Sequence, residues 1–416
     1  MRISGERAQA IGEQISGRTL PPRTAVYTQF KDHNSDTVDT GLAIYFAGPN
    51  SFTGEDVVEL QGHGGPVVQD LLLREVVSLG ARQARAGEFS ERAFLNDKID
   101  LAQAEAIADL IDSTTEQAAK GAMRSLQGEF SKRVSELLNE LIQLRMYVEA
   151  AIDFPEEEID FLADEKVISR VDSLQKSLTA TLKQASQGAV LRNGLRLVIA
   201  GKPNAGKSSL LNALAGYDSA IVTDIPGTTR DTITETIDID GLAVHIMDTA
   251  GLRNSDDAVE KIGIERARRA IEQADHVLQL VDASETVTAD IDPNVSNTTL
   301  VYNKIDLLSA VLPQEGLKIS ATKGIGITEL REHIKNLAGY SQENETVFTA
   351  RRRHVTALTS AGDAVARGVQ QLKRNNAGEL LADELLQAQS FLSEITGEFS
   401  ADDLLGEIFA GFCIGK

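Results

Sequence analysis

The stretch GKPNAGKS, Gly201 to Ser208, grows out of the apolar run LRLVIAG and leads straight into SLLNALAG. A Gly-rich turn held between a strand and a helix lets backbone N–H groups wrap phosphates, and the motif carries that meaning only in this setting. Lys207 then places a point charge on the outer two phosphates, and the Ser208 hydroxyl is a ligand for Mg²⁺. Asn204, Ala205, Gly206 and Ser209 complete the phosphate-binding set. From residue 195 to about 340 the alternation continues, with TITETIDI, AVHIMDTAG, VLQLVDAS, TLVYNKID and LKISA as further strands. Strands alternating with helical stretches imply a mostly parallel sheet with helices on both faces.

Three later segments extend the same chemistry. DTAG supplies Asp248 to the outer sphere of the metal and, after Thr249 and Ala250, the Gly251 N–H to a γ-phosphate. NKID comprises Asn303, Lys304, Ile305 and Asp306, and the Asp306 carboxylate can accept two hydrogen bonds from the N1 and N2 groups of guanine. Adenine has no matching donors. SAT, Ser320 to Thr322, offers the Ala321 backbone N–H to the guanine O6. Four elements in this order imply a Ras-like guanine-nucleotide domain. One position departs from the Ras-like pattern: the Gln that orients the attacking water is replaced by Leu252, which cannot hydrogen-bond, so another group must hold the water.

The chain has 416 residues, of which 42% are hydrophobic, enough for several buried cores. Four stretches follow from the changes of period: an α+β N-terminal domain at 1–96, a helical region at 97–193, the P-loop domain at 194–340 and a second helical region at 341–416. Short β-rich runs such as GLAIYF and DVVELQG mark the first. Phe130, Val134, Leu137, Leu138, Leu141, Leu144 and Val148 fall on one face of a long helix in the second, and Leu381, Leu385, Leu392 and Ile395 on one stripe in the last. Between a helical stretch around 164–187 and the strand LRLVIAG, the segment QGAVLRNG reads as a break. The economical arrangement packs the two helical blocks together, with the α/β domain inserted between them and its ends close in space.

A single cysteine excludes a disulfide framework and fits a reducing, cytoplasmic setting. No apolar run reaches the ~18 residues needed to span a bilayer, and MRISGERAQA lacks the apolar core of a signal peptide. A formal net charge of −21 argues against a broad basic groove, so work on nucleic acid would need a local patch or a partner.

Six segments, of which only DTAGLR overlaps the motifs above, GPNSFTGEDVVELQGHGG, GEFSERAFLNDKIDLAQAEAIADLIDS, TDIPGTTRD, DTAGLR, SEITGEFSADDLLGEIF and the terminal FCIGK, give the chain a resemblance from residue 1 to 416 to the MnmE (TrmE) family of tRNA modification GTPases. The resemblance implies that Glu260 orients the water, and that a K⁺ ion serves in place of an arginine finger. Asn204, Thr223, Ile225 and Thr228 would hold the K⁺, Thr229 would join Ser208 on Mg²⁺, and Asp224, Pro226 and Gly227 complete that loop. Arg253 lies where two such domains would meet face to face, as does Arg230.

For the N-terminal domain the resemblance implies a tetrahydrofolate one-carbon carrier, in its 5-formyl or 5,10-methylene form, bound across a homodimer interface. Arg2, Glu59, Lys98 and the terminal Lys416 fall on the matching positions, which places Cys413 beside the one-carbon donor as nucleophile, redox group or packing residue. The implied reaction adds an aminomethyl or carboxymethylaminomethyl group at C5 of the tRNA wobble uridine, in a heterotetramer with the flavoprotein MnmG. The family pattern also carries a strand and a Gly-rich turn ahead of RISG, and this sequence opens at Met1 inside that region: the start is misassigned, or the folate pocket and dimer face are incomplete. A switch GTPase of ribosome assembly is the rival reading, since it would share the nucleotide motifs. It would more often carry a basic RNA-binding module and has no use for FCIGK.

Overall fold

The computed structural model describes residues 1–153, 165–202, 204–216, 234–248, 271, 274–284, 297–307, 315–340, 348–375, 377–398 and 408–409. The chain divides into two compact units, one of residues 1–108, 126–174 and 360–416, the other of 109–125 and 175–359.

In the first unit, strands β1 (Arg2–Ser4), β2 (Val26–Lys31), β3 (Thr37–Phe46) and β4 (Val57–Gln61) form an antiparallel sheet in the order β1-β4-β3-β2. Inward residues alternate with outward ones, so Phe30, Ala43, Tyr45, Val58 and Leu60 meet Ile11 and Ile15 of helix α1 (Ala8–Ser16) and Leu72 and Val76 of α2 (Pro66–Ser78). Burying a side chain of this size is worth ~1.5–3 kcal/mol, which sets the register of each strand firmly. Helices α3 (Glu88–Leu95) and α4 (Leu101–Asp112) lead out of this domain, and Phe94 and Leu101 pack near Phe409. After α5 (Glu116–Leu126), the long α6 (Glu129–Asp153) buries all seven apolar residues of the stripe from Phe130 to Val148. It packs against the last long helix, Gly378–Thr396, whose Leu381, Leu385, Leu392 and Ile395 are fully enclosed.

The second unit holds the expected α/β domain. Its strands β5 (Leu195–Gly201), β6 (Thr234–Ile239), β7 (Leu242–Asp248), β8 (His276–Asp282), β9 (Thr298–Asn303) and β10 (Leu317–Lys318) lie in the order β10-β9-β8-β5-β7-β6, parallel except for the β6–β7 pair. Strand β5 is central, so its C-terminal end, where the P-loop begins, has a parallel neighbour on either side. Helix α8 (Lys207–Ala215) buries Leu210 and Leu214 against the sheet, and α9 (Ile327–Leu337) buries Ile327, Leu330 and Ile334 in the same core.

One expectation is corrected here. Helix α7 runs unbroken from Glu165 to Asn193, straight through QGAVLRN, and stops only at Gly194, whose backbone is left-handed at φ 68°. Gly188 does not break the helix; it lets the returning chain pass, because a methyl there would sit 2.1 Å from the Phe348 carbonyl oxygen. That returning chain enters α10 (Arg352–Asn375), which precedes the helix Gly378–Thr396, hereafter α11. The buried carboxylate of Asp109 marks the same junction: its Oδ1 accepts from Arg192 Nε and from an Arg351 guanidinium nitrogen, each at 2.7 Å. The inserted domain thus leaves and returns at one acceptor.

Candidate functional site: a guanine-nucleotide pocket

The P-loop conformation follows from three left-handed residues, Gly201 at φ 155°, Asn204 at 67° and Gly206 at 94°. Glycine is required at two of them: a methyl on Gly201 would meet the Leu280 carbonyl oxygen at 2.4 Å, and one on Gly206 would meet Asn303 Nδ2 at 2.2 Å. Lys207 Nζ donates to the carbonyls of Gly201 (2.7 Å) and Lys202 (3.2 Å), which holds its ammonium over the loop. Ala205 is buried, while Asn204 and Ser208 are exposed and Ser209 is half-buried. A loop closed by a positive helix end and an ammonium is suited to a polyphosphate.

The segments expected to meet the base are gathered at the ends of neighbouring strands. Asn303 ends β9, with only 2% of its surface exposed, and bridges two loops: its Nδ2 donates to Ala205 O at 2.9 Å, and its Oδ1 accepts from the Ala321 N–H at 3.0 Å. The amide expected to face guanine O6 therefore already has an acceptor, which a base would have to share. Ser320 Oγ donates to Asp306 Oδ1 at 2.6 Å and lies 3.4 Å from Thr322 Oγ1. This fixes the carboxylate plane and leaves Oδ2 for a ligand. Ile305 donates its backbone N–H to Ile319 O at 3.2 Å. Asp248 closes β7 beside Ile199 of β5.

The partner of Lys304, Asp282, is the residue that sequence reasoning does not foresee. Lys304, at φ 65°, donates from Nζ to Asp282 Oδ2 at 2.6 Å, and Asp282 Oδ1 accepts from the N–H and hydroxyl of Ser284 at 3.0 and 2.6 Å. Burial alone would raise the Asp282 carboxyl; the ammonium and the two Ser284 donors outweigh it and hold the group below its ordinary value. The signal for it in the sequence is the acid of VDAS, at the end of strand β8.

At the N-terminal domain, Arg2 and Glu59 are register partners on β1 and β4, and their side chains pair at 2.7 Å. The Arg2 guanidinium lies 5.4 Å from the Phe52 ring centre and 5.9 Å from that of Phe89. Lys98 is placed beside Gly54, where a methyl would come within 3.3 Å of its Cγ. Below this face Arg92 joins Glu55 to Glu88, and Arg82, with Arg85 N–H and Arg92 and against the opposing effect of burial, holds the Glu88 carboxyl at about 2. Thr223, Asp224, Ile225, Pro226, Gly227, Thr228, Thr229, Arg230, Thr249, Ala250, Gly251, Leu252, Arg253, Glu260, Cys413 and Lys416 lie outside the described residues.

A central parallel strand that runs into a left-handed Gly-rich loop and the helix behind it defines a P-loop GTPase. More narrowly, the chain belongs to the MnmE family. The model of the MnmE helical domain matches residues 101–413, and that of the GTP-binding protein TrmE N-terminus matches 1–98. The tRNA modification GTPase MnmE of Pseudomonas paraeruginosa (strain DSM 24068 / PA7) is 57% identical, over 100% of this chain and 95% of that protein. That of Chromohalobacter salexigens is also 57% identical, over 100% of this chain and 94% of that protein. The solved G domain of the T. maritima FeoB iron transporter is 25% identical with a TM-score of 0.28, covering 35% of this chain and 98% of that one. Among the described residues, no helix is long and apolar enough to cross a membrane.

Proposed function

We propose that this GTPase serves tRNA modification: GTP hydrolysis drives a conformational cycle in a complex that builds a carboxymethylaminomethyl or aminomethyl group at C5 of the wobble uridine. The observation that carries the reading is the presence, on one chain, of a P-loop domain with Asp306 held by Ser320 and of family segments on both sides of it, at 57% identity to proteins named for tRNA modification. The Arg2–Glu59 pair beside Phe52 and Phe89 supports a folate one-carbon donor, since a pterin ring suits a carboxylate and aromatic walls while a folate glutamate tail suits Arg2, Lys98 and Lys416. MnmG is the proposed partner, two copies of this chain form the homodimer, and the setting is cytoplasmic. Cys413 would act beside the donor.

In the nucleotide site Lys207 and the loop amides bind the phosphates, and Ser208 with Thr229 would hold Mg²⁺. Asn204, whose left-handed backbone leaves its side chain exposed at the loop, would hold K⁺ together with Thr223, Ile225 and Thr228, and Glu260 would orient the water. Hydrolysis in K⁺ should exceed that in Na⁺ at matched ionic strength by at least about tenfold, because a cation stabilises charge between the β- and γ-phosphates only if it fits its oxygens. Equal rates in the two salts would remove the K⁺ site. The whole reading is tested by mass spectrometry of tRNA nucleosides from cells lacking the gene. Loss of the C5 substituent is expected; unchanged wobble uridines would overturn the reading.

A further inference from the structure

Lys304 is held at both ends. Its backbone is left-handed at φ 65°, a conformation that costs a non-glycine residue ~1–2 kcal/mol, and its ammonium is fixed 2.6 Å from Asp282 Oδ2. Asp282 in turn cannot rotate away. It ends β8 directly opposite Asn303 of β9, the Ala283 N–H donates to Asn303 O at 2.9 Å, and both Ser284 donors occupy its other oxygen. The four-carbon stem of Lys304 is therefore stretched across the ends of two neighbouring strands. It lies between Asn303, which braces the P-loop, and Asp306, which takes the base. A methylene chain in that place is an apolar surface for a flat purine, and a fixed ammonium cannot swing toward the triphosphate.

We propose that Asp282, locked by Ser284, is a positioning residue for nucleotide recognition: it pre-orders the Lys304 stem so that the purine meets a surface already in place. An unrestrained lysine carries ~2 kcal/mol of rotamer entropy, which nucleotide binding would otherwise have to remove. The inference rests on the GTPase assignment and is independent of the reading about tRNA. It also separates binding from chemistry, because both Asp282 oxygens are already taken, one by Lys304 and the other by Ser284.

The test is a double-mutant cycle on the full chain, read as dissociation of GDP carrying a fluorescent methylanthraniloyl group. Asp282→Ala should speed dissociation about tenfold, the scale of one charge-assisted hydrogen bond, and KM for GTP should rise by a similar factor while kcat moves less than about twofold. In a Lys304→Met background the same change should add less than about twofold, since there is no ammonium left to hold. Asp282→Asn keeps the volume and an acceptor for Ser284 but loses the charge, so it should fall between wild type and Asp282→Ala; it carries the test if the alanine variant does not fold. Unchanged dissociation in either variant, or full additivity with Lys304→Met, would overturn the assignment.

Discussion

Asp306→Asn should weaken GTP binding by about a hundred- to ten-thousand-fold, the loss of two charge-assisted hydrogen bonds at about 1.5–3 kcal/mol each. The direction of the effect is set by Ser320. Its hydroxyl donates to Oδ1 of Asp306, so the amide oxygen of the variant would stay on Ser320 and its NH₂ would face the base. A donor there opposes the N1–H and N2–H₂ donors of guanine but matches the C2 carbonyl of xanthine. The variant should therefore bind XTP better than GTP. Displacement of a fluorescent nucleotide by each triphosphate checks this, and a GTP affinity within threefold of wild type would show that Asp306 does not meet the base.

The second large effect is expected at Gly206→Ala. A methyl there would stand 2.2 Å from Asn303 Nδ2 on a backbone at φ 94°, so the loop must change shape or Asn303 must leave. Asn303 is buried and holds Ala205 and Ala321 together, and displacing its Nδ2 strands the Ala205 carbonyl. Left-handed strain of ~1–2 kcal/mol and an unpaired buried group at ~1–3 kcal/mol combine to about 2–5 kcal/mol. If the loss falls on the nucleotide-competent loop, GTP affinity drops about thirty- to several-thousand-fold. The steric part is separable: in an Asn303→Ala background the added methyl should do less harm than in wild type. Titration of all four proteins with GTP measures it, and normal binding by Gly206→Ala would refute the close approach.

These two positions were legible because each sits inside a short contiguous motif whose chemistry needs that residue type. The stripes from Phe130 to Val148 and from Leu381 to Ile395 were legible for a similar reason, since period alone fixes a face. What the sequence hid depends on which elements become neighbours. Arg2 meets Glu59 only because β1 lies beside β4 in that register, and Asp282 meets Lys304 only because β8 lies beside β9. Periodicity reports a face and never a partner. The break expected at QGAVLRNG does not occur, because a glycine in a helical stretch looks like a break unless the chain it makes room for is known. Nor does the sequence tell that Asn303, beside any contact it makes with a nucleotide, braces the loops of Ala205 and Ala321 through its two bonds.

The shared hold of Arg192 and Arg351 on Asp109 has a consequence for how such a chain could have been assembled. Two points distant in sequence are tied to one carboxylate, so the helical host presents a doorway whose width does not depend on what lies between. Closing a flexible loop across that doorway costs only ~0.6 kcal/mol more for each doubling of its length. A host of this kind tolerates growth or shrinkage of the inserted module, because the extra chain is never asked to span a gap. Lineages could thus lengthen or trim the GTPase between these two arginines while the host helices kept their packing.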